Sequence, residues 1–209
     1  LWRYDGGMKQ IPGQEAIEKV MPLVGYRHIR IDPEKRTVFL PRKGMRIDLS
    51  GIAAGYAVEH VRDLLRHKQV PGGMVRVRGL IAVWGQKATG EQWLLGISDP
   101  NKLGKMLAWV PLVESAACIL RSDRRFVEYN GLRYGEVLDP ASGKPATGVA
   151  QVTVFTSSAE LCQALGVALT VMGPEAGLPM VEVLGDTEAV MVDDSGFLYW
   201  TSGLLIHQD

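Results

Sequence analysis

Residues 46–60 read Arg-Ile-Asp-Leu-Ser-Gly-Ile-Ala-Ala-Gly-Tyr-Ala-Val-Glu-His, and no other stretch constrains the fold as strongly. Ile47 and Leu49 flank Asp48 in the alternation of a strand end, and Ser50-Gly51 is a turn and helix-cap pair. From Ile52 to Leu65 apolar residues then recur at helical spacing. Gly51, Ala53, Ala54, Gly55 and Ala57 keep the junction small. A strand that breaks into a helix through small residues lets a neighbour approach the backbone, and the helix N-terminus offers free N–H groups to an anion. The same run also suits a Gly/Ala-rich helix packed tightly on a sheet, and spacing alone favours that packing role.

The rest of the chain surrounds this junction with more strands than helices. Gln14 to Val24 has an apolar side and ends at Gly25, which predicts an amphipathic helix after a Gly/Pro-punctuated loop over 1–13. His28–Ile31 and Thr37–Leu40 alternate as strands around the Asp32–Arg36 loop. Met74–Gly85 reads as one long strand or as two around Gly79; further strands are expected at 93–98, 107–112, 116–120, 125–129 and 151–155. A helix over Ser157–Met172, capped by Ser157 or Ser158, stops at Gly173-Pro174, and a short helix follows from Gly177 to Leu184. A last hairpin joins 188–192 to 197–201. The order is not a strict βαβ alternation, so the expected class is α+β.

Composition narrows the function. With 23 basic and 23 acidic side chains the chain has no net charge, which speaks against nucleic acid and against direct contact with an anionic membrane. No apolar run is expected to reach membrane-spanning length, and Leu1–Asp5 does not read as a signal peptide. Cys118 and Cys162 have no metal-site spacing, although the fold could still pair them. Ser50 and Ser142 sit in Gly-bearing turns but not in a G-x-S-x-G elbow, and four scattered histidines offer no obvious base, so a serine nucleophile is discarded.

Asp48-Leu-Ser-Gly-Ile-Ala-Ala-Gly-Tyr-Ala57 resembles the D-L-G-G-I-A-K-G-Y-A signature of the FAD:protein FMN transferase (ApbE) family. Two further stretches support this in the right order: Trp93–Pro100 is similar to the family's W-x-V-G-I-x-D-P, and Asn130–Pro145 to its D-G-x-x-Y-S-H-I-I-D-P-x-T-G-x-P. The resemblance covers nearly all 209 residues. It implies a single flavin-transferase (T-fold-like) domain over 1–209, with mixed or antiparallel sheets and packed helices. It also implies a chain that lacks the upstream part of the family. The family chemistry splits the pyrophosphate of FAD and attaches FMN to a Thr or Ser hydroxyl of a flavoprotein. That needs a divalent cation and donors for the phosphates.

Position by position, those groups are missing. The resemblance implies Mg²⁺ ligands, an Asp and a Thr, at positions occupied here by Gln163 and Val167, with a carbonyl from the signature turn as a third. Valine offers no oxygen and glutamine no charge, so Mg²⁺ is not expected and no metal ligand is assigned. The signature lysine is Ala54, the family histidine is Glu136, Arg76 and Arg78 replace an Asn and a Gly, and Leu120-Arg121 replaces a hydroxyl–Gly pair. No catalytic residue is therefore assigned. Arg76 and Arg78 are expected on one face of a strand. What persists is the scaffold that could hold FAD, namely Asp48, Ser50, Gly51, Ala53, Gly55, Tyr56 and Asp139; no cofactor is assigned with it.

The expected function is a catalytically degenerate relative of the transferases that binds or supports a larger assembly. The alternatives are an active Mg-dependent transferase and a flavin-holding protein without turnover. A protein partner, or a second chain supplying the upstream half, is expected to cover apolar strand positions around Val75, Val77, Ile81 and Val83. Arg76 and Arg78 would form the polar rim of that contact. Membrane contact is expected only through that partner. The resemblance implies a periplasmic or exported location.

Overall fold

In the computed structural model, residues 1–5, 8, 10–102 and 104–204 are described. His207 and part of the expected N-terminal loop lie outside them. Chain contacts divide the protein into two units, Leu1–Asp48 with Asp123–Ala146, and Leu49–Ser122 with Thr147–Asp209.

The first unit contains α1 (Gln14–Val20), which passes into a 3₁₀ turn at Met21–Leu23 because Pro22 has no N–H to continue the α pattern. β1 (Arg30–Asp32) pairs antiparallel with β2 (Thr37–Phe39). Ile17 is its buried apolar anchor, and a β-carbon on Gly143 would press to 2.7 Å from the Ile17 side chain.

The second unit begins at the signature. Residues 45–49 form no strand; Ile47 and Leu49 are exposed and have no ladder partner. The alternation there was misleading because a strand needs a neighbour to take its hydrogen bonds. α2 (Ser50–His67) starts directly, with Leu49 as its N-cap and no side-chain cap, so Ser50 is the first helical residue and not the cap. β3 (Gly73–Val77) and β4 (Leu80–Trp84) form a hairpin, and β5 (Trp93–Ser98) pairs with β6 (Met106–Leu112) in another. After β7 (Ala116–Arg121) the chain re-enters the first unit, where β8 (Phe126–Tyr129) and β9 (Leu132–Gly135) turn through Asn130-Gly131. It returns with β10 (Val149–Thr156), α3 (Ala159–Glu182), β11 (Glu188–Asp193) and β12 (Leu198–Trp200).

Among the described residues the main sheet is antiparallel, in the order β12-β11-β10-β7-β4-β3. Its strands alternate between two cores. Leu80, Ala82, Cys118, Val152 and Val154 face the helices, where Val58, Cys162, Leu165 and Leu169 meet them. Ile81, Val83, Ala117, Phe155 and Val190 face Leu95, Ile97 and Leu112 of the β5–β6 hairpin. β4 is buried along its whole length because both faces are covered. This corrects the expectation of an open strand face. Ile81 and Val83 are 4% and 0% exposed, closed over by a hairpin of the same chain. Val75 packs on the helix-side core, and Val77 remains 40% exposed.

α3 is two helices joined across Gly173, whose φ of 73° and ψ of 173° are not helical. The first of the two thus stops at Gly173 as expected, while the second starts earlier than the expected Gly177, with Pro174 in its opening turn. By length and composition alone 159–182 could cross a bilayer, contrary to the sequence reading. Here Ala159, Cys162, Leu165, Gly166 and Leu169 on its first segment are buried in the core.

Candidate functional site

The first turn of α2 and the first segment of α3 come together in the second unit. Gly55 is buried where the helices cross. Gln163, on α3, reaches across with both ends of its amide. Its Oε1 accepts the Gly55 N–H at 2.7 Å, and its Nε2 donates to the Ser50 carbonyl at 2.9 Å. One turn further along α3, Val167 turns a methyl to the signature: a β-carbon on Gly51 would sit 3.9 Å from Val167 Cγ2. The two positions that resemblance assigns to metal ligands thus meet the signature turn, as does a turn carbonyl. The groups that meet are an amide donor, a methyl and a carbonyl already accepting a hydrogen bond. Among the described residues no cluster of three or more His, Cys, Asp or Glu could hold a metal.

A second set of contacts ties the same helices together. Glu59 Oε2 accepts from Ser158 Oγ at 2.8 Å and from the Glu160 N–H at 3.2 Å, so a carboxylate of α2 serves the N-terminus of α3. Ser158 Oγ accepts from the Leu161 N–H, which fixes it as the cap. Arg62, only 7% exposed, donates to the Ser157 carbonyl at 2.9 Å and pairs with Glu59 at 3.5 Å. Sequence reading missed Glu59 and Arg62. An i,i+3 Glu/Arg pair on a helix is ordinarily a solvated ion pair, and only the crossing of the helices buries it.

The other expected residues of this unit spread apart. Ala53 is exposed on α2, and Tyr56 is 53% exposed with its ring tilted 35° against that of His60, centroids 3.9 Å apart. Ala54, in the lysine position, packs its methyl on the core. Arg76 and Arg78 do not share a strand face: Arg76 lies in β3, while Arg78 occupies the β3–β4 turn with φ +54°. The expected alternation fails because the strand ends at Val77 to let Gly79 approach β7. A β-carbon on Gly79 would lie 2.1 Å from the Ile119 carbonyl, and the Gly79 carbonyl accepts from Ile119 N–H. Leu120 is held against the helix-side core, and Arg121 donates to the Pro100 carbonyl at 3.2 Å. Asp99 Oδ1 accepts from the N–H groups of Asn101 and Lys102, building the turn that follows β5.

In the first unit, Asp48 is exposed. Glu136 pairs with Arg125 at 2.8 Å, and Tyr4 Oη donates to the Gly135 carbonyl at 2.5 Å beside it. Burial, helped by the Glu136 charge and opposed by Arg125, pushes the Tyr4 phenol up to about 12. Asp139 Oδ1 accepts the Ala141 N–H at 2.9 Å, and the Asp139 and Lys144 backbones bond across the turn. The Ala141 N–H, with the Ser142 hydroxyl, holds the Asp139 carboxyl below its ordinary range. The expected binding residue Asp139 is therefore engaged in building its own turn. Trp2 Nε1 donates to the Gly143 carbonyl at 2.9 Å and closes the same loop.

Comparison with known proteins agrees with the signature. The family model described as the ApbE family matches residues 1–191. The chain is similar to an FAD:protein FMN transferase of Vibrio cholerae serotype O1, 28% identical over 195 residues, covering 92% of this chain and 58% of that protein. A second, from Treponema pallidum, is 26% identical over 207 residues, covering 92% and 57%. Among solved structures it is similar to the ApbE protein of Thermotoga maritima, with TM-score 0.84 and 28% identity over 93% of this chain and 63% of that one. Pseudomonas stutzeri flavinyl transferase ApbE, in its apo form, gives TM-score 0.79 and 31% identity over 95% and 62%. The chain thus spans less than two thirds of the length of these relatives.

Proposed function

The chain belongs to the ApbE family, and from that premise we propose that it is an FAD:protein FMN transferase-like protein that no longer transfers flavin and serves as a binding or structural component of a larger assembly. The observation that carries this reading is the Gln163 amide spanning Ser50 and Gly55, with Val167 beside it. Splitting a pyrophosphate develops charge on its oxygens, and a dication or an equivalent positive group must meet that charge. Mg²⁺ selects hard, preferably anionic oxygens in octahedral array. An amide that aims its N–H at the nearest carbonyl and a valine methyl do not fit such an ion. Ala54 supplies no ammonium in compensation; in the other unit the position of the family's histidine is Glu136, paired with Arg125. Each lost electrostatic contact of this kind costs on the order of 10²–10³ in rate.

The assembly half of the reading is supported by α2. Leu49, Ile52, Tyr56, Val61 and Leu64 are between 38% and 63% exposed along the signature helix. Large apolar side chains left exposed along one helix are candidates for a contact surface. A protein partner is its proposed occupant.

The test is flavin transfer. The chain is incubated with FAD, Mg²⁺ and a flavoprotein domain carrying the acceptor threonine, and covalent flavin is read by in-gel fluorescence. The expected result is no labelled band above the control lacking the chain. A labelled band at a rate above that control overturns the reading.

A further inference from the structure

We propose that the Gln163 amide fastens α2 to α3 where the resemblance places a metal ion, so that this joint holds without any cation. The inference deepens the reading above, because it asks what replaced the lost ion and not only whether it is lost. The chemistry follows from which groups face each other. A carboxylate on α3 would put anionic oxygens beside the Ser50 carbonyl oxygen, and two acceptors cannot bond; a dication between them resolves the repulsion. An amide has a donor and an acceptor on one carbon. Turned with Oε1 to the Gly55 N–H and Nε2 to the Ser50 carbonyl, Gln163 bonds backbone groups of the first and second turns of α2 at once. The reverse orientation would set N–H against N–H and oxygen against oxygen, so these partners fix which way the amide points.

The local packing is built for this fastening. Val167 keeps a methyl near Gly51, leaving no oxygen that would draw an ion. The Gly55 position has no β-carbon, so α3 comes close enough for the glutamine to span the gap. Glu59 and Arg62 of α2 return the favour at Ser157, Ser158 and Glu160 of α3. Each helix thereby bonds backbone groups at or near the N-terminal end of the other. Gln163 is the half of this clasp that lies at the family's metal position.

The experiment uses the whole 209-residue chain. The wild-type protein is melted with EDTA and with excess Mg²⁺, and exchange of the Gly55 amide and of the Gln163 side-chain amide is followed by NMR. The expected outcome is one melting midpoint in both conditions and slow exchange at both amides. Gln163→Ala is expected to lower the midpoint and speed Gly55 exchange about tenfold, the factor for roughly 1.4 kcal/mol. Gln163→Asp is expected to lower it in EDTA, with Mg²⁺ restoring part of the loss. Fast exchange of the wild-type Gln163 amide, or unchanged Gly55 exchange in Gln163→Ala, overturns the clasp. An Asp variant insensitive to Mg²⁺ overturns the equivalence of amide and ion. These three results leave the flavin-transfer reading standing, since that is scored on labelling. A saturable rise of the wild-type midpoint with Mg²⁺ overturns the cation-free joint, whereas only labelling above the control overturns the flavin-transfer reading.

Discussion

A β-carbon placed on Gly55 would lie 2.6 Å from the carbonyl oxygen of Ala159, and 2.7 Å from Glu160 Cα. Both obstacles are backbone, so neither can rotate away. The signature glycine therefore sets the distance between α2 and α3, whatever a ligand once required of it. Two substitutions separate this effect from helix propensity. Alanine in a helix interior is better than glycine by roughly 0.5–1 kcal/mol, while overpacking costs about 1–3 kcal/mol. Gly55→Ala should therefore lower stability despite its propensity gain. Gly51→Ala, whose new methyl would meet Val167 at an ordinary 3.9 Å, should leave stability unchanged or raise it. Urea midpoints at constant m-value check the pair; equal shifts for both variants would remove Gly55 from this role.

Glu59 offers a sharper probe of the crossing, because its carboxylate has three partners: Ser158 Oγ, the Glu160 N–H and Arg62. Glu59→Gln keeps an acceptor of similar shape and should cost less than Glu59→Ala. Among the described residues, the alanine variant leaves the nearly buried Arg62 paired only with Asp63, which is far more exposed. It also strips an N–H of α3's first turn. A hydrogen bond to a charged group contributes about 1.5–3 kcal/mol, so Glu59→Ala, which removes two of them, should destabilise by roughly 3 kcal/mol or more. Arg62→Met in the Glu59→Ala background should recover part of that loss by removing the stranded charge. A double variant no more stable than the single one would show that Arg62 was not strained by losing its partner.

What the sequence disclosed divides along physical lines. The helix break at Gly173-Pro174, a serine cap at 157 or 158 and the β11–β12 hairpin are legible because each rests on the local chemistry of a few residues. Asn130-Gly131 was equally legible and went unread. Both residues adopt positive φ, 51° and 74°, and such a dipeptide is among the strongest hairpin signals, yet β9 was missed. Residues 46–49 failed for the opposite reason: alternation was present, but no strand lay beside it. The cover over Ile81 and Val83 could not be foreseen, because nothing local says that the β5–β6 hairpin folds onto that face. The candidate site shows the same split. Gln163 and Val167 were identified as positions by resemblance, but the two-ended bond to Ser50 and Gly55 spans more than a hundred residues.

Cys118 and Cys162 remain free thiols. Burial pushes Cys118 up to about 12 and Cys162 higher still, and both side chains are at most 2% exposed. The thiolate is the reactive form, so neither should react at neutral pH while the core is closed. With a chromogenic disulfide reagent the native chain should show no fast phase, and both thiols should appear together on unfolding in denaturant. Because the two lie in one core cluster between sheet and helices, their reaction should follow a single rate. Fast reaction of one thiol in the native state would mean that α3 opens locally from the sheet.

Tyr4 supplies a pH dependence whose sign can be worked out. Its phenol moves from an ordinary 10.0 to about 12 in the folded chain, burial being the largest cause and the nearby Glu136 carboxylate the next. A raised acid pKa means that folding favours the neutral phenol. The unfolded chain begins to lose this proton near pH 10 while the folded chain still holds it. Stability from this group is thus complete below pH 10 and falls as pH rises towards 12. Other groups titrate in the same window, so the comparison must be with Tyr4→Phe, which keeps the ring but loses the bond to the Gly135 carbonyl. At neutral pH the wild type should be the more stable by about 1 kcal/mol, the net value of one such hydrogen bond. Between pH 10 and 12 that advantage should shrink and then reverse, because the phenylalanine has no proton to lose. Paired urea titrations at closely spaced alkaline pH values measure the difference directly. A constant difference across the window would mean that Tyr4 ionises as readily in the folded chain as in the unfolded one, and that the Gly135 contact does not hold the phenol neutral.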